Sequence, residues 1–154
     1  MATSNNNPLI YGLIGGQGIN QLHMPCNNST APINQGDLVY LTDGLLHALD
    51  TDGNAASALG VALQPTTVSS SLDNSSNLTP KSIMVGWNMV ASLQTTAAET
   101  YTPGINVYIG ADAQTITTVA GSNKVGRIVL PDGVSSVTGA SGLRIGVAIV
   151  SKLF

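Results

Sequence analysis

Asp50-Thr51-Asp52-Gly53-Asn54 is the stretch whose residue types come nearest to a ligand site. Hard cations bind where several oxygens converge on a sharp turn, and an Asp-x-Asp opening is common in calcium loops. A full twelve-residue loop closes with a bidentate glutamate. Here Asn54 fills the fifth place, but Val61 stands at the twelfth. The series ends without its last ligand, and a plain hairpin turn is the preferred reading. His23 and Cys26 stand three apart in "HMPC", a spacing seen in metal sites. Two ligands cannot complete a tetrahedral zinc, and the only other histidine is His47. Cys26 reads better as a small buried apolar residue and His23 as a loop residue.

Three further candidates fail for physical reasons. "LIGGQGINQ" is glycine-rich, but no Gly-Lys-Ser/Thr follows and no helix start is visible to cradle a phosphate. His47 lies in "LLHALD", flanked by leucines at strand spacing, where a packed strand histidine is the better reading than a general base. Glu99 sits in the turn-like "TTAAETYTPG" with no second carboxylate close by for paired acid–base work. No Gly-x-Ser-x-Gly elbow is present. The expectation is a protein that is not an enzyme and holds no metal and no cofactor.

Composition points the same way. Charged residues are 8% of the 154, against about 25% in an ordinary soluble protein. Ser, Thr, Asn, Gly and Ala fill the gap, giving a wet but nearly uncharged surface. Interface cores avoid charge, because burying Lys or Glu carries a desolvation cost. The net charge is −3, and the five basic residues (Lys81, Lys124, Arg127, Arg144 and Lys152) are scattered. No stripe exists to neutralise phosphates, so no nucleic-acid partner is expected. The lone Cys26 forms no internal disulfide. The longest apolar run, Leu9 to Ile14, is too short to span a membrane, and the start lacks the basic residues of a secretory signal. Synthesis in a cytoplasm, with no membrane partner, is expected.

The elements around these residues read as strands and turns. Residues 1–34 are rich in Asn, Gly and Pro and carry the apolar patch "PLIYGLIGG". They read as an extended arm, with a β domain over 35–154. "DLVYL", "LLHALD" and "ALGVALQ" are separated by Asp-Gly turns at 43–44 and 52–53, which favour hairpins. "PTTVSSSLDNSSNLTP", residues 65–80, is a polar loop between prolines. In "KSIMVGWNMVASLQ" the odd positions from Ile83 to Leu93 are apolar, which predicts one half-buried strand.

The chain then repeats itself. Gly36-x-x-Val39-Tyr40 returns as Gly104-x-x-Val107-Tyr108, and Gly60-Val61-Ala62 as Gly126-Arg127-Ile128. Gly146-Val147-Ala148-Ile149-Val150 reads as a third version of the second motif. Two such units predict two sheets or half-barrels around one core, each burying the apolar face of the other. The fold class is all-β: a compact β-barrel or β-tulip-like domain of short antiparallel strands with an extended N-terminal arm.

The opening at Gly36 to Tyr40, the echo at Gly104 to Ile109, Gly60-Val61-Ala62 and the final "LRIGVAIVSKLF" resemble the capsid cement, or head decoration, proteins of tailed bacteriophages. The resemblance covers about residues 33–154, through short motifs of turn glycines and small apolar strands. It implies a virion protein on the capsid exterior, made in the host cytoplasm, that binds the major capsid protein and braces neighbouring subunits. It also implies a homo-oligomer, commonly a trimer. In such proteins the N-terminal segment often orders on the capsid by adding a strand to a neighbour. Pro8, Leu9, Ile10, Tyr11, Leu13 and Ile14 match that part here. The longer Asn-rich start and the 65–80 loop depart from the smallest members of the family. A phage fibre, tail or surface-adhesion β module shares the composition and is the alternative.

Overall fold

The computed structural model describes residues 10–13, 20–26, 32–42, 44–49, 60–66, 82–121 and 123–149. All regular structure among them is strand, with no helix. The all-β barrel class expected from the sequence is the one the chain adopts. The turn at 50–54 and most of the 65–80 loop lie outside the described residues, as do Pro8, Leu9 and Ile14.

One five-stranded sheet is built from β2 (Asn20–Pro25), β3 (Leu38–Thr42), β4 (Leu45–Ala48), β5 (Gly60–Ala62) and β6 (Ser82–Trp87). Its order is β2-β6-β5-β3-β4, and a parallel bridge from Cys26 to Leu46 brings its two edges together. β2 falls inside the expected arm, yet it pairs with β6 along all six of its residues. The boundary near residue 34 therefore cuts through a sheet. Breakers such as Pro25 and Asn20 sit at the ends of that strand, where they cost little.

The second sheet comprises β7 (Met89–Thr95), β9 (Asn106–Ile109), β10 (Thr115–Thr117), β11 (Lys124–Val129) and β13 (Arg144–Ile149). The ring β7-β10-β9-β11-β13 closes because β13 also pairs with β7. β1 (Ile10–Leu13) lies antiparallel along the first half of β7. The ribbon of β8 (Thr100–Tyr101) and β12 (Val137–Thr138) stands apart as a two-stranded sheet.

These two barrels are the same object built twice, to the residue. Val39 faces Gly60 in the first and Val107 faces Gly126 in the second. Leu41 faces Leu46, and Ile109 faces Ile116. Ala62 faces Val85, and Ile128 faces Val147. Met24 faces Ile83, and Leu93 faces Ile145. Even the parallel contact recurs: Cys26 with Leu46, Thr95 with Ile116. β2, β3, β4, β5 and β6 thus correspond to β7, β9, β10, β11 and β13. The shared glycines have one cause. A Cβ on Gly60 would run into the carbonyl oxygen of Gly86, and one on Gly126 into that of Ala148. Where adjacent backbones approach this closely, only glycine fits.

Two expectations change here. The segment from 82 to 95 is not one strand, because it bends at Asn88, whose φ is 54°. Asparagine is among the few side chains that accept this left-handed conformation. The apolar alternation continues through the bend but changes owner. Ile83, Val85 and Trp87 enter one core cluster, and Met89, Ala91 and Leu93 the other. The Gly146 motif is β13, which corresponds to β6 and not to the Gly60 strand. It resembles β5 in letters only because both are short buried strands of small residues.

The single shared core is also replaced by two. Met24, Val39, Leu46, Ala62, Ile83, Val85 and Trp87 fill the first barrel. Their counterparts Leu93, Val107, Ile116, Ile128, Ile145, Val147 and Ile149 fill the second. The larger cluster also takes in Leu38, Tyr40, Leu49 and Val61 from the first barrel's outer face. That face is the junction between the barrels. Burying four such side chains contributes at most about 6–12 kcal/mol, as much as a typical domain's whole stability.

Candidate binding surface

The ionisable groups inside the fold are committed to holding it. Asp37 is buried at the barrel junction: its Oδ2 accepts from the Asn34 N–H at 2.8 Å and its Oδ1 from Gln114 Nε2 at 3.0 Å. Gln114 Nε2 also donates to the Gln35 carbonyl at 3.2 Å. On its other side Gln114 Oε1 accepts from Arg144 Nη2 at 3.0 Å, and Arg144 Nη2 also reaches the Ser92 carbonyl at 3.3 Å. Burial pulls the guanidinium below its ordinary pKa, and nearby Asp112 opposes the change. With the Leu38 N–H donating to the Ala113 carbonyl at 2.7 Å, this network pins the second barrel's 110–114 loop onto the start of β3.

Glu99 is a latch. Its Oε1 accepts from Thr117 Oγ1 at 2.6 Å, and its Oε2 from the Thr118 N–H at 2.6 Å and Thr118 Oγ1 at 3.1 Å. The buried Tyr101 hydroxyl lies 3.0 Å from both Glu99 Oε2 and the Ile116 carbonyl, and accepts from the Thr96 N–H at 2.9 Å. Burial alone would raise the Glu99 pKa, but the hydrogen bonds outweigh it and hold the carboxyl below its ordinary value. For Tyr101, burial is the main cause of a raised pKa. The arrangement ties the β7–β8 turn to β10.

The remaining candidates separate in space. His23 is exposed and Cys26 buried, as residues three apart on a strand must be, so they form no ligand pair. Burial raises the Cys26 thiol pKa, away from a reactive thiolate. His47 faces Tyr40 across β3 and β4, with ring centroids 5.6 Å apart. Among the described residues no group of three or more His, Cys, Asp or Glu side chains could hold a metal ion.

Two surfaces stand out among the described residues. At the arm, the backbone of Ile10, Gly12 and Leu13 pairs with Ala91, Val90 and Met89, with an irregularity between Ile10 and Gly12. Of the expected arm residues, Ile10, Tyr11 and Leu13 therefore stand on the molecule's own β7 in this structure. The second surface is the outer face of the second barrel. Asn106 and Arg127 stand there, both exposed, where the first barrel has the junction residues Leu38 and Val61. Sequence reading missed this face because the correspondence emerges only from strand register. No protein-family model, curated protein or solved structure matches the chain.

Proposed function

We propose that this chain is a structural virion protein, a cement or decoration protein that binds the outside of an icosahedral phage capsid and braces its major capsid subunits. The observation that carries the reading is the use of the ionisable groups. Asp37, Glu99 and Arg144 are spent on the fold, in a chain that is only 8% charged. A rigid, nearly neutral double barrel can be buried between other subunits at small desolvation cost. The arm residues Pro8, Leu9, Ile10, Tyr11, Leu13 and Ile14 anchor it by exchanging the β1–β7 pairing for a pairing with a capsid subunit. That exchange is accessible, since a typical backbone hydrogen bond contributes a net ~0.5–1.5 kcal/mol and β1 pairs through three residues.

The test is co-sedimentation of the purified protein with expanded and unexpanded shells of the phage that encodes it. Saturable binding to expanded shells, lost on deleting residues 1–14 while the circular dichroism stays β, supports the reading. Failure of the intact protein to bind overturns it, and full binding by the deleted protein overturns the role of the arm.

A further inference from the structure

We propose that β2 receives an extended, uncharged segment of the protein's binding partner as an added strand. The second barrel shows how such an edge is filled. One edge of β7 pairs with β13 along residues 89–94. Its other edge is shared: β10 takes Gln94 and Thr95, and β1 lies antiparallel along Met89, Val90 and Ala91. β2 is the counterpart of β7 and gives one edge to β6 in the same way. On its other edge the parallel bridge from Cys26 to Leu46 matches the β10 contact. Among the described residues nothing matches β1, so the backbone of residues 20–24 has no partner strand on that side.

Which groups face this edge follows from Pro25, which lies opposite Ser82 of β6. Its nitrogen carries no hydrogen, and a strand tolerates that where the N–H would point away from the neighbouring strand. Backbone groups alternate between the two edges of a strand, so Gln21 and His23 also turn their N–H and carbonyl groups away from β6. The counterpart of Pro25 has the same parity: the Gln94 N–H donates to the Gln114 carbonyl at 2.8 Å, on the β10 side of β7. Gln21, Leu22 and His23 are all exposed, and an unpaired row of this kind is a template for strand addition. Leu22 offers an apolar contact as well. It shares a face with buried Met24, yet it is 49% exposed, whereas its counterpart Ala91, opposite Ile10 of β1, is 1% exposed. The chemistry of the occupant follows from both seats. The segment on β7 is Ile10-Tyr11-Gly12-Leu13, which carries no charge, and residues 20–24 carry no formal charge either. A charged segment would lose hydration there without meeting an opposite charge. That the segment comes from a capsid subunit rests on the function proposed above; the seat itself does not.

Hydrogen exchange by mass spectrometry, on the full chain free and bound to expanded shells, reads the seat. Fragments covering Gln21 and His23 are expected to exchange about tenfold more slowly, or slower still, on the shells. Gln21→Pro and His23→Pro each remove an outward N–H and spare the pairing with β6. Each should weaken shell binding about tenfold without moving the melting temperature, whereas Gln21→Ala should bind like wild type. If a proline variant does not fold, the exchange measurement on the wild-type chain decides alone. Shell binding with residues 20–24 unprotected, or full binding by folded proline variants, would overturn this inference and leave the capsid reading standing. No shell binding by the wild-type chain would overturn both. Protection that grows with the concentration of the free chain would make a second copy the occupant, and would overturn the inference too.

Discussion

Glu99 shows how one ionisable side chain can tie two elements together. Its four hydrogen bonds favour the ionised form, so its pKa in the folded state lies below the unfolded value. The contribution is fully present above the ordinary carboxyl pKa of about 4.3. It is lost as pH falls through the lower folded-state value, when the native carboxylate is forced to take a proton. Glu99→Gln should lower the thermal midpoint at pH 7 and flatten its acid dependence below pH ~4.3, read by calorimetry at several pH values. One residue away, Ala98 holds a φ of 66°, a conformation that costs an L-residue ~1–2 kcal/mol. Ala98→Gly should therefore stabilise the protein by up to ~1 kcal/mol in urea unfolding. Gly126→Ala should do the reverse, by ~1–3 kcal/mol, since its methyl group meets the Ala148 carbonyl.

At the scale of elements, the hinge at Asn88 decides the fold. It lets one continuous run of alternating apolar residues serve two barrels. Asn88→Gly should leave stability within ~1 kcal/mol of wild type, whereas Asn88→Val should cost ~1–2 kcal/mol or more, measured by the same denaturant titration. This bend was invisible in the sequence, because the period-two pattern passes through it unbroken. The repeat of β3 and β5 in β9 and β11 was legible, because a backbone approach at Gly60 and Gly126 admits one residue type. The equivalence of β2 with β7 and of β6 with β13 was not. Met24 and Leu93, or Trp87 and Ile149, satisfy the same core position with any large apolar side chain. β2 itself was hidden among Asn and Pro residues that read as arm. The candidate surfaces were less legible still: the arm was proposed from its apolar cluster alone, and the polar face at Asn106 and Arg127 stands out only once its apolar twin is known.

At the scale of the molecule, one barrel plan used twice, with one face changed from apolar to polar, accounts for both the junction and the surface. The first barrel's Leu38 and Val61 are apolar where the second barrel covers them, and the second barrel's Asn106 and Arg127 are polar where they stand exposed. Val61→Arg, which copies the second barrel's residue into the first, should cost more than ~3 kcal/mol and lower the stability of both barrels together, since Val61 shares one cluster with the second barrel's core. Hydrogen exchange by mass spectrometry, run along a denaturant series on the intact protein, tests this two-barrel account most directly. The account predicts that the slowest amides of β3, β5, β7 and β13 open together at one free energy, because neither barrel tolerates an uncovered junction. Opening of the first barrel's strands at a distinctly lower free energy, with the second still closed in the wild-type protein, would contradict it.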